Sequence, residues 1–452
     1  MPIPEDHKWR YIFHFTDIRN LDSIIKNGLL CTNEKNKRGI EHHNIANMTI
    51  QERRANMDVT AGPGGKVHDY VPFYFSSLNP MLLKKLNEKN VDQPGIIYLC
   101  IKIDRLDNVD AVFTDAAANT IDPPSFYDDV ADLNCLNWDL IDSKKWSVGT
   151  AGDKQKKMAE ALVYQHVGIG EVDAIVVYNE SARKAVEKIF SDNKMAAPTL
   201  LYDHDAQIRK YSFYYTKFFF NDRKRETLVY GPSALLSEYE NLLAYIKKER
   251  LCGEVSYPYK SVSDLVGALD NNIVVLPELK DVAELLQDYD PHNDTVGEHT
   301  KKVVGEMRQL GYYKNASYER KNVLLLAAYL HDIGKGPKKK WKDGKMTGAY
   351  LDHPLDAIPM LARILTKEIE EIAEEDIRDI CLLVVYHDII GDCMEKGREK
   401  QQVADVIESE DDLEMLFAIS CADAKAITGA WGLNIFGRKK SFAEEIMKMK
   451  NS

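Results

Sequence analysis

The first two hundred residues alternate short apolar runs with amphipathic segments, which predicts a mixed α+β domain. A helix is predicted directly after Asp17, which can cap it; its apolar positions are Leu21, Ile24 and Ile25, and Gly28 ends it. A second helix is predicted over residues 181–190. The runs that read as strands are residues 12–16 (IFHFT), 70–75 (YVPFYF), 96–103 (IIYLCIKI) and 174–177 (AIVV). We therefore expect an α+β domain with a small, split β core.

From about Leu276 onward the pattern is helical throughout, which predicts an all-α domain. Residues 211–275 form a connecting segment, with a helix over 233–250 and a turn-rich stretch at 255–263. The expected division is therefore 1–210, 211–275 and 276–452. The clearest helical periodicities in the last part lie at residues 324–330, 358–365, 377–386 and 413–426.

Length and composition agree with this division, because 452 residues exceed what a single core accommodates. The net charge of −12 argues against a non-specific binder of duplex nucleic acid, although it leaves a local basic groove possible. No apolar run reaches the length of a membrane span, and the N-terminus lacks the pattern of a secretory signal. Seven scattered cysteines without a CxxC pair suit a reducing compartment. We expect a cytoplasmic protein with no membrane partner.

One stretch inside the connecting segment combines aromatic and basic residues, YSFYYTKFFF at 211–220 with lysines and arginines around it. Such interleaving can stack bases and hold phosphates. A core strand or a domain-joining helix with a solvated charged end explains the same pattern, and we favour that explanation.

Histidines and aspartates in the helical part are spaced as a metal site would require. A single histidine on an apolar helix is usually a hydrogen-bonded core residue, but a buried carboxylate needs a partner. Imidazoles and carboxylates from separate helices together suit Mn, Fe, Mg, Ni or Zn, and the lack of thiolates argues against a closed structural zinc site. The residues, in chain order, are His299, the adjacent His331 and Asp332, His353 in the following loop, His387 and Asp423.

This order, together with HNDTVGEHT and YLHDIGKG, resembles the HD superfamily of metal-dependent phosphohydrolases over residues 280–430. These two segments resemble in particular the HD module of bifunctional uridylyltransferase/uridylyl-removing enzymes. The resemblance implies hydrolysis of a phosphate ester, often in a nucleotide, by one or two divalent ions. It places His299, His331, Asp332 and Asp423 at a first metal. His353 and His387 would complete a second metal, and Lys335 could neutralise substrate phosphate. His292 and Asp388 lie beside the motif without an assigned role.

The N-terminal part gives a weaker chemical signal on spacing alone. His14 and Thr16 alternate on the first strand and so face one side of it. Together with aromatic residues and Glu160 from other strands they could form a dinucleotide pocket. Glu160 could equally be a surface residue at a strand edge, and the glycines at 62–65 a plain turn.

Four segments in order resemble the DarT family of ADP-ribosyltransferases over about residues 10–205: YIFHFTDIRNLDSIIKNGLL, ERRANMDV, GGKVHDYVPFYFSSLNPML and KKMAEALV. The resemblance implies binding of NAD by His14 and Thr16, with Tyr70, Tyr74 and Met81 lining the nicotinamide pocket. Glu160 would stabilise the transition state. Either Arg53 or Arg54 would orient NAD phosphates or the target base. A further polar group is expected within residues 115–120.

These likenesses predict a two-domain enzyme that ADP-ribosylates a base in single-stranded nucleic acid, taken to be DNA, and also hydrolyses a phosphorylated or nucleotide substrate. Modification of bases would be toxic, which suggests a toxin or phage-defence role with an antitoxin as a further partner. A second hypothesis makes the N-terminal domain a silent NAD or nucleotide sensor that gates the HD site. A third treats both domains as degenerate interaction scaffolds.

Overall fold

The computed structural model describes residues 2–43, 48–120, 122–143, 145, 148–201, 231–252 and 255–451. The aromatic and basic stretch at residues 209–225 therefore lies outside the described residues. The chain divides into two compact units between residues 229 and 230, and each is described by itself. Within the described ranges, no helix combines the length and apolar character needed to cross a bilayer.

The first unit is a mixed α+β domain, as predicted. Its strands are β1 (Tyr11–Asp17), β2 (Leu29–Leu30), β3 (Tyr70–Tyr74), β4 (Ile96–Lys102), β5 (Ala111–Thr114), β6 (Phe126–Tyr127), β7 (Glu160–Tyr164), β8 (His166–Val167), β9 (Ala174–Val176) and β10 (Thr199–Leu201). Its helices are α1 (Leu21–Asn27), α2 (Thr32–Arg38), α3 (Met48–Asn56), α4 (Pro80–Asn87), α5 (Trp138–Ile141), α6 (Ala151–Lys157) and α7 (Glu180–Asp192).

Eight of these strands form one sheet in the order β10-β9-β4-β1-β3-β7-β5-β6, which is larger than the small core predicted. The pairings are antiparallel except for β9 with β10. Strand β4 is almost continuously apolar because both of its faces are covered. Ile97 and Leu99 join one buried cluster, whereas Tyr98 and Cys100 join another. The sheet therefore lies between two apolar layers.

The start of α1 differs in detail from the prediction. Asp17 accepts the backbone N–H of Arg19 and so caps a short 3₁₀ turn, Ile18–Asn20, that precedes the helix. Gly28 does end α1, with φ at 77°. A Cβ at that position would lie 2.5 Å from the His166 ring, so both conformation and space require glycine there.

The second unit is predominantly helical. Its helices are α8 (Pro232–Leu251), α9 (Val262–Asn271), α10 (Pro277–Val282), α11 (Val296–Gln309), α12 (Gly311–Asn315), α13 (Tyr318–Leu330), α14 (His353–Lys367), α15 (Glu374–Val385), α16 (Ile389–Gly391), α17 (Gln401–Val406), α18 (Glu410–Ile427) and α19 (Gly429–Lys450). Four short strands interrupt the helical pattern, namely β11 (Tyr259–Ser261), β12 (Leu286–Gln287), β13 (Lys345–Met346) and β14 (Ile369–Glu371). They pair in parallel as β11 with β14 and β12 with β13.

Helix α8 lies in the stretch that the sequence placed in a connecting segment, yet it packs into the core of the second unit. Leu235, Tyr239, Leu242 and Ile246 recur at helical spacing and are buried in that core. Helix α9 contributes to the same core. Compact packing of the second unit therefore begins well before the predicted boundary at residue 276.

Candidate active site and metal centre

A cavity of about 480 Å³ opens in the first unit, against the strands that carry the predicted NAD-binding residues. Asn20, Lys35 and His68, which the sequence did not single out, also line it, as does Asn119 from the stretch where a further polar group was expected. The predicted residues that line it are His14, Thr16, Arg54, Tyr70, Tyr74 and Met81. The structure thus brings these residues from β1, β3, α3 and α4 to a single concave surface.

Glu160 is the first residue of β7 and is paired directly with Tyr74 of β3. Its side chain is only 1% exposed, so it is not a surface residue at a strand edge. The backbone N–H of Ala118 donates to Oε1 at 2.8 Å. Ala118 lies within residues 115–120, the stretch where a further polar group was expected, but the donor is its backbone amide. No side-chain signal could have revealed it, because a backbone donor leaves no mark on the sequence.

Arg54 and Arg53 occupy opposite environments on α3. The Nη1 atom of Arg54 lies 2.9 Å from both oxygens of Glu160, whereas Arg53 is exposed. Burial lowers the pKa of the Arg54 guanidinium, but the Glu160 carboxylate outweighs this effect and raises the pKa above its ordinary value. Arg54 and Glu160 therefore form a buried ion pair. Arg54 lines the cavity, and the buried Glu160 carboxylate lies behind its guanidinium.

His14 and Thr16 are both fixed by hydrogen bonds. His14 donates Nδ1–H to the carbonyl of Pro72 at 2.7 Å, and burial lowers the pKa of His14 to about 4. Thr16 Oγ1 accepts from the amide of Asn20 at 3.0 Å, and Asn20 also holds the backbone of His43. The ring of His14 is therefore neutral near pH 7, with Nε2 left as an acceptor.

Tyr74 and Tyr70 differ in what their hydroxyl groups do. Burial, and then the Glu160 carboxylate, raise the pKa of Tyr74, whose hydroxyl points to Met81 Sδ at 3.7 Å. It therefore remains a protonated donor at the cavity wall. The Tyr70 hydroxyl donates to the carbonyl of Gly64 at 2.7 Å, so Tyr70 contributes its ring to the cavity and anchors the glycine turn.

In the second unit, the four residues expected at a first metal converge although they are far apart in sequence. His299 lies on α11, His331 and Asp332 directly follow α13, and Asp423 lies on α18. The Nε2 atom of His299 is 2.8 Å from Asp423 Oδ1 and 3.4 Å from the Nε2 atom of His331. Oδ2 of Asp332 is 3.3 Å from the Nε2 atom of His331. These separations are those of ligands around one ion.

A second group lies on the other side of Asp332. The Oδ1 atom of Asp332 is 3.6 Å from the Nε2 atom of His353, which in turn lies 3.0 Å from the Nε2 atom of His387. Asp332 thus offers one carboxylate oxygen to each group. His353 is the first residue of α14 rather than part of a loop. Asp388 lies 3.6 Å from both of these imidazoles, at the edge of the group.

Three of the histidines are oriented by the same kind of hydrogen bond, from Nδ1 to a backbone carbonyl. The Nδ1–H groups of His331, His353 and His387 donate to the carbonyls of Ala328, Tyr350 and Val384, each three residues earlier. Since a carbonyl only accepts, each Nδ1 carries a proton, and in the neutral ring the Nε2 atom keeps its lone pair for a metal. Such backbone bonds are the usual second support of metal-bound histidines.

Two neighbouring residues shape this centre. A Cβ at Gly334 would lie 1.8 Å from the carbonyl oxygen of His353, so the glycine allows the turn after Asp332 to lie against α14. Lys335 is buried rather than solvated, and its Nζ donates to Asp332 Oδ2 at 2.7 Å and to Gln287 at 2.9 Å. Burial raises the pKa of Asp332, but the positive charge of the adjacent Lys335 opposes this, and the pKa lies well below its ordinary value.

The donor set fits divalent ions. Buried Nε2 lone pairs face one another and face ionised carboxylates, an arrangement that a cation satisfies. Mixed nitrogen and oxygen ligands suit Mn, Fe, Ni, Zn or, with more oxygen, Mg. His299, His331, Asp332 and Asp423 would hold one ion. Asp332, His353 and His387 would hold a second.

A family model described as "ssDNA thymidine ADP-ribosyltransferase, DarT" matches residues 13–207, and a model of the HD domain matches residues 296–416. A DNA ADP-ribosyl transferase of Thermus aquaticus is 32% identical over 185 residues, which cover 40% of this chain and 80% of the relative. One from Escherichia coli is 30% identical over 177 residues, covering 37% and 80%.

Part of this chain is similar to solved structures of a DarT protein. DarT of Thermus sp. 2.9 in complex with ADP-ribosylated ssDNA is similar over 45% of this chain and 98% of that chain, at 28% identity and a TM-score of 0.40. The same protein in complex with NAD+ is similar over the same shares, at 26% identity and a TM-score of 0.38.

Proposed function

This chain belongs to the DarT family of ADP-ribosyltransferases and also carries an HD domain, and from this premise we propose that it is a two-domain enzyme. The N-terminal domain transfers ADP-ribose from NAD to a base of single-stranded DNA. Thymidine is the first base to test, because the family description names it. One observation carries this proposal: the Glu160 carboxylate is buried and oriented by Arg54 and the Ala118 amide beside the cavity.

The transfer breaks the bond between the ribose carbon of NAD and the nicotinamide nitrogen, joins that carbon to a nitrogen of the base, and releases nicotinamide and the proton that this nitrogen carried. Positive charge develops on the ribose as nicotinamide leaves. A carboxylate held in place opposes that charge without having to reorganise, an effect of about 10²–10³ in rate by analogy with oxyanion-hole donors. Glu160 is held in this way, because its Oε1 atom accepts from Ala118 and both oxygens face Arg54.

Arg54 pairs with the Glu160 carboxylate and also separates it from the cavity. A ribose hydroxyl can reach Glu160 only if the Arg54 guanidinium gives up its contact with one of the two carboxylate oxygens. The neutral ring of His14 and the hydroxyl of Tyr74 supply an acceptor and a donor on the same wall. The target base must be unpaired to enter such a pocket, which favours a single strand.

The test is incubation with NAD and single-stranded oligonucleotides that each contain one kind of base, followed by mass spectrometry. We expect a mass gain of one ADP-ribose and equimolar release of nicotinamide. The Glu160→Ala variant should show neither. No gain on any of the four bases would remove the proposal, and NAD binding without nicotinamide release would favour the sensor hypothesis instead.

For the C-terminal domain we propose metal-dependent hydrolysis of a phosphate ester. Bound divalent ions would lower the pKa of a coordinated water and polarise the phosphoryl group. The chain itself supplies the geometry: Asp332 joins the two groups of ligands, and the carbonyl bonds of His331, His353 and His387 keep their Nε2 atoms available. Lys335 orients Asp332 and adds positive charge beside it.

The test uses protein loaded with Mn²⁺ and the small diester bis(p-nitrophenyl) phosphate. We expect p-nitrophenol release that a chelator stops and that Asp332→Asn abolishes. The exposed residue Asp281 provides the control substitution Asp281→Asn in the same domain. Equal rates in the Asp332→Asn and Asp281→Asn variants would refute hydrolysis at this centre.

We further propose a toxin or phage-defence role, with an antitoxin as partner, because modified bases obstruct replication. Induced expression in a bacterial host should arrest growth, and the Glu160→Ala variant should not. Equal growth of both strains would contradict this role.

A further inference from the structure

A lysine-rich segment follows the HD motif directly. Residues 335–345 contain six lysines against one acidic residue, Asp343, in a chain whose net charge is −12. The positive charge is therefore concentrated locally, next to the metal ligands. Residues 338–345, with Trp341 near their centre, form the lysine segment.

Trp341 links the lysine segment to the metal centre through two contacts. Trp341 donates its indole N–H to the carbonyl of Lys335 at 2.7 Å, three residues after Asp332. On the other side, the ring of Trp341 packs edge-on against Tyr350 at 5.3 Å between centroids. The carbonyl of Tyr350 accepts from the metal-site residue His353 at 2.6 Å. A ligand held on the segment therefore lies beside the ions.

The lysines differ in how far neighbouring acids neutralise them. Lys340 is committed to Asp356 and Tyr350. Lys338 and Lys345 reach Glu284 and Asp288 only at 3.4 and 3.9 Å, in exposed pairs that contribute little.

Lys339 and Lys342 are exposed and make no ion pair with any residue in the described part of the chain. They stand on either side of Trp341. Two free cations around a half-buried indole give the combination that holds a phosphate backbone and stacks a base.

We infer that the lysine segment binds the backbone of a nucleic-acid strand and that the HD centre acts on a phosphodiester of that strand. This rests on the proposed hydrolysis at the metal centre and names its substrate class. Lys335 and bound ions would neutralise the phosphate that reacts. Lys339 and Lys342 lie outside that centre, and a nucleoside monophosphate has no further phosphate to reach them, whereas a strand has one at every nucleotide.

The experiment compares two substrates of the Mn²⁺-loaded full chain, without NAD: bis(p-nitrophenyl) phosphate and a short single-stranded oligonucleotide. The readout is the ratio of kcat/KM for the oligonucleotide to kcat/KM for the small diester, which cancels changes in folding or metal loading. We expect Lys339→Ala/Lys342→Ala to lower this ratio about tenfold. For the oligonucleotide, the slope of log kcat/KM against log salt concentration should become less steep by about 1.4, because each contact with a single-strand phosphate contributes about 0.7 to that slope.

The matched control is Lys367→Ala/Lys448→Ala, which removes two exposed lysines of the same unit that form no ion pair among the described residues. It should leave the ratio at the wild-type value. An equal ratio in both double variants would overturn the inference. So would hydrolysis of the small diester with none of the oligonucleotide, although the metal centre would then still be a phosphohydrolase.

A second measurement is independent of turnover. An oligonucleotide carrying 5-iodouracil is crosslinked to the protein by light, and the modified peptide is identified by mass spectrometry. Crosslinks within residues 338–350 support the inference even if neither substrate is hydrolysed, in which case only the proposed hydrolysis fails. Crosslinks confined to other segments overturn it. Loss of binding to phosphatidylglycerol vesicles in the Lys339→Ala/Lys342→Ala variant, with an unchanged oligonucleotide ratio, would instead identify a membrane surface.

Discussion

The Nε2 atoms of His353 and His387 lie 3.0 Å apart, while each ring donates its Nδ1–H to a backbone carbonyl. When both rings are neutral, two buried lone pairs face each other, which is unfavourable unless a cation lies between them. Ions bound here should stabilise the second unit. At a metal concentration about a hundredfold above Kd we expect about 2.7 kcal/mol of added stability. Scanning calorimetry with Mn²⁺ and with a chelator measures this, and coincident unfolding temperatures would contradict it.

Asp332 and His387 should differ in how many ions their substitution removes. Asp332 offers one oxygen to each group of ligands, whereas His387 belongs to the second group alone. We expect about two metal equivalents per chain in the wild type, close to none in Asp332→Asn and about one in His387→Ala. Elemental analysis of purified protein gives these numbers. Equal losses in the two variants would show that Asp332 does not join two sites.

Arg54 and Arg53 provide a matched pair of substitutions on one helix. Arg54→Lys keeps a positive charge but loses the planar guanidinium that faces both oxygens of Glu160. We expect nicotinamide release to fall about 10²-fold, the size typical of losing one pre-organised group. Arg53→Lys should stay close to the wild-type rate, because Arg53 is exposed.

Lysine is used at Arg54 because alanine would leave the buried Glu160 unpaired and cost about 3–5 kcal/mol of stability. Circular dichroism should show both lysine variants folded. Equal rates in Arg53→Lys and Arg54→Lys would mean that the ion pair is structural only.

Gly334 should be essential to the second group of metal ligands. A Cβ there would lie 1.8 Å from the carbonyl oxygen of His353, so Gly334→Ala must push the turn away from α14. We expect loss of about one metal equivalent and about 1–3 kcal/mol of stability, measured by elemental analysis and urea unfolding.

Gly305→Ala is the control for that experiment. Gly305 lies in α11, and an added Cβ there meets nothing within 4 Å. Alanine favours a helix by about 1 kcal/mol over glycine, so this variant should be slightly more stable and retain its metal. Unaltered metal content in Gly334→Ala would show that the close approach is dispensable.

His14 gives the first unit a defined dependence of stability on pH. Burial lowers the pKa of His14 from 6.5 to about 4, so the unfolded chain binds the proton more readily than the folded chain. The stability that the neutral ring contributes is therefore complete above pH 6.5 and is lost as pH falls towards 4. The loss in free energy of unfolding is at most about 3 kcal/mol. We expect a value below this maximum, because the His14 ring borders the cavity.

The measurement is urea unfolding of wild type and His14→Gln between pH 4 and pH 7. Glutamine does not titrate, so the difference in free energy of unfolding between the two proteins should shrink as the pH falls. A difference that is independent of pH would show that His14 does not titrate as expected.

The sequence by itself determined the order of elements and the chemical types at the metal centre. Strand β4 follows from a short, continuous apolar run, which is typical of a strand covered on both faces, and helices α13, α14 and α18 follow from apolar positions at the helical spacing. The mixed α+β class of the first unit and the helical HD domain were confirmed. The metal residues stood out because imidazoles and carboxylates on apolar helices need partners.

Only the tertiary structure decided which of these groups meet. Whether Arg53 or Arg54 faces Glu160 depends on which side of α3 is buried, and its short, polar sequence does not specify that side. The Ala118 amide and the two-sided role of Asp332 depend on backbone and side-chain orientation relative to distant segments. Contacts such as His299 with Asp423 join residues more than a hundred positions apart. Local periodicity fixes the face of one element, but the packing of all elements together fixes what that face meets.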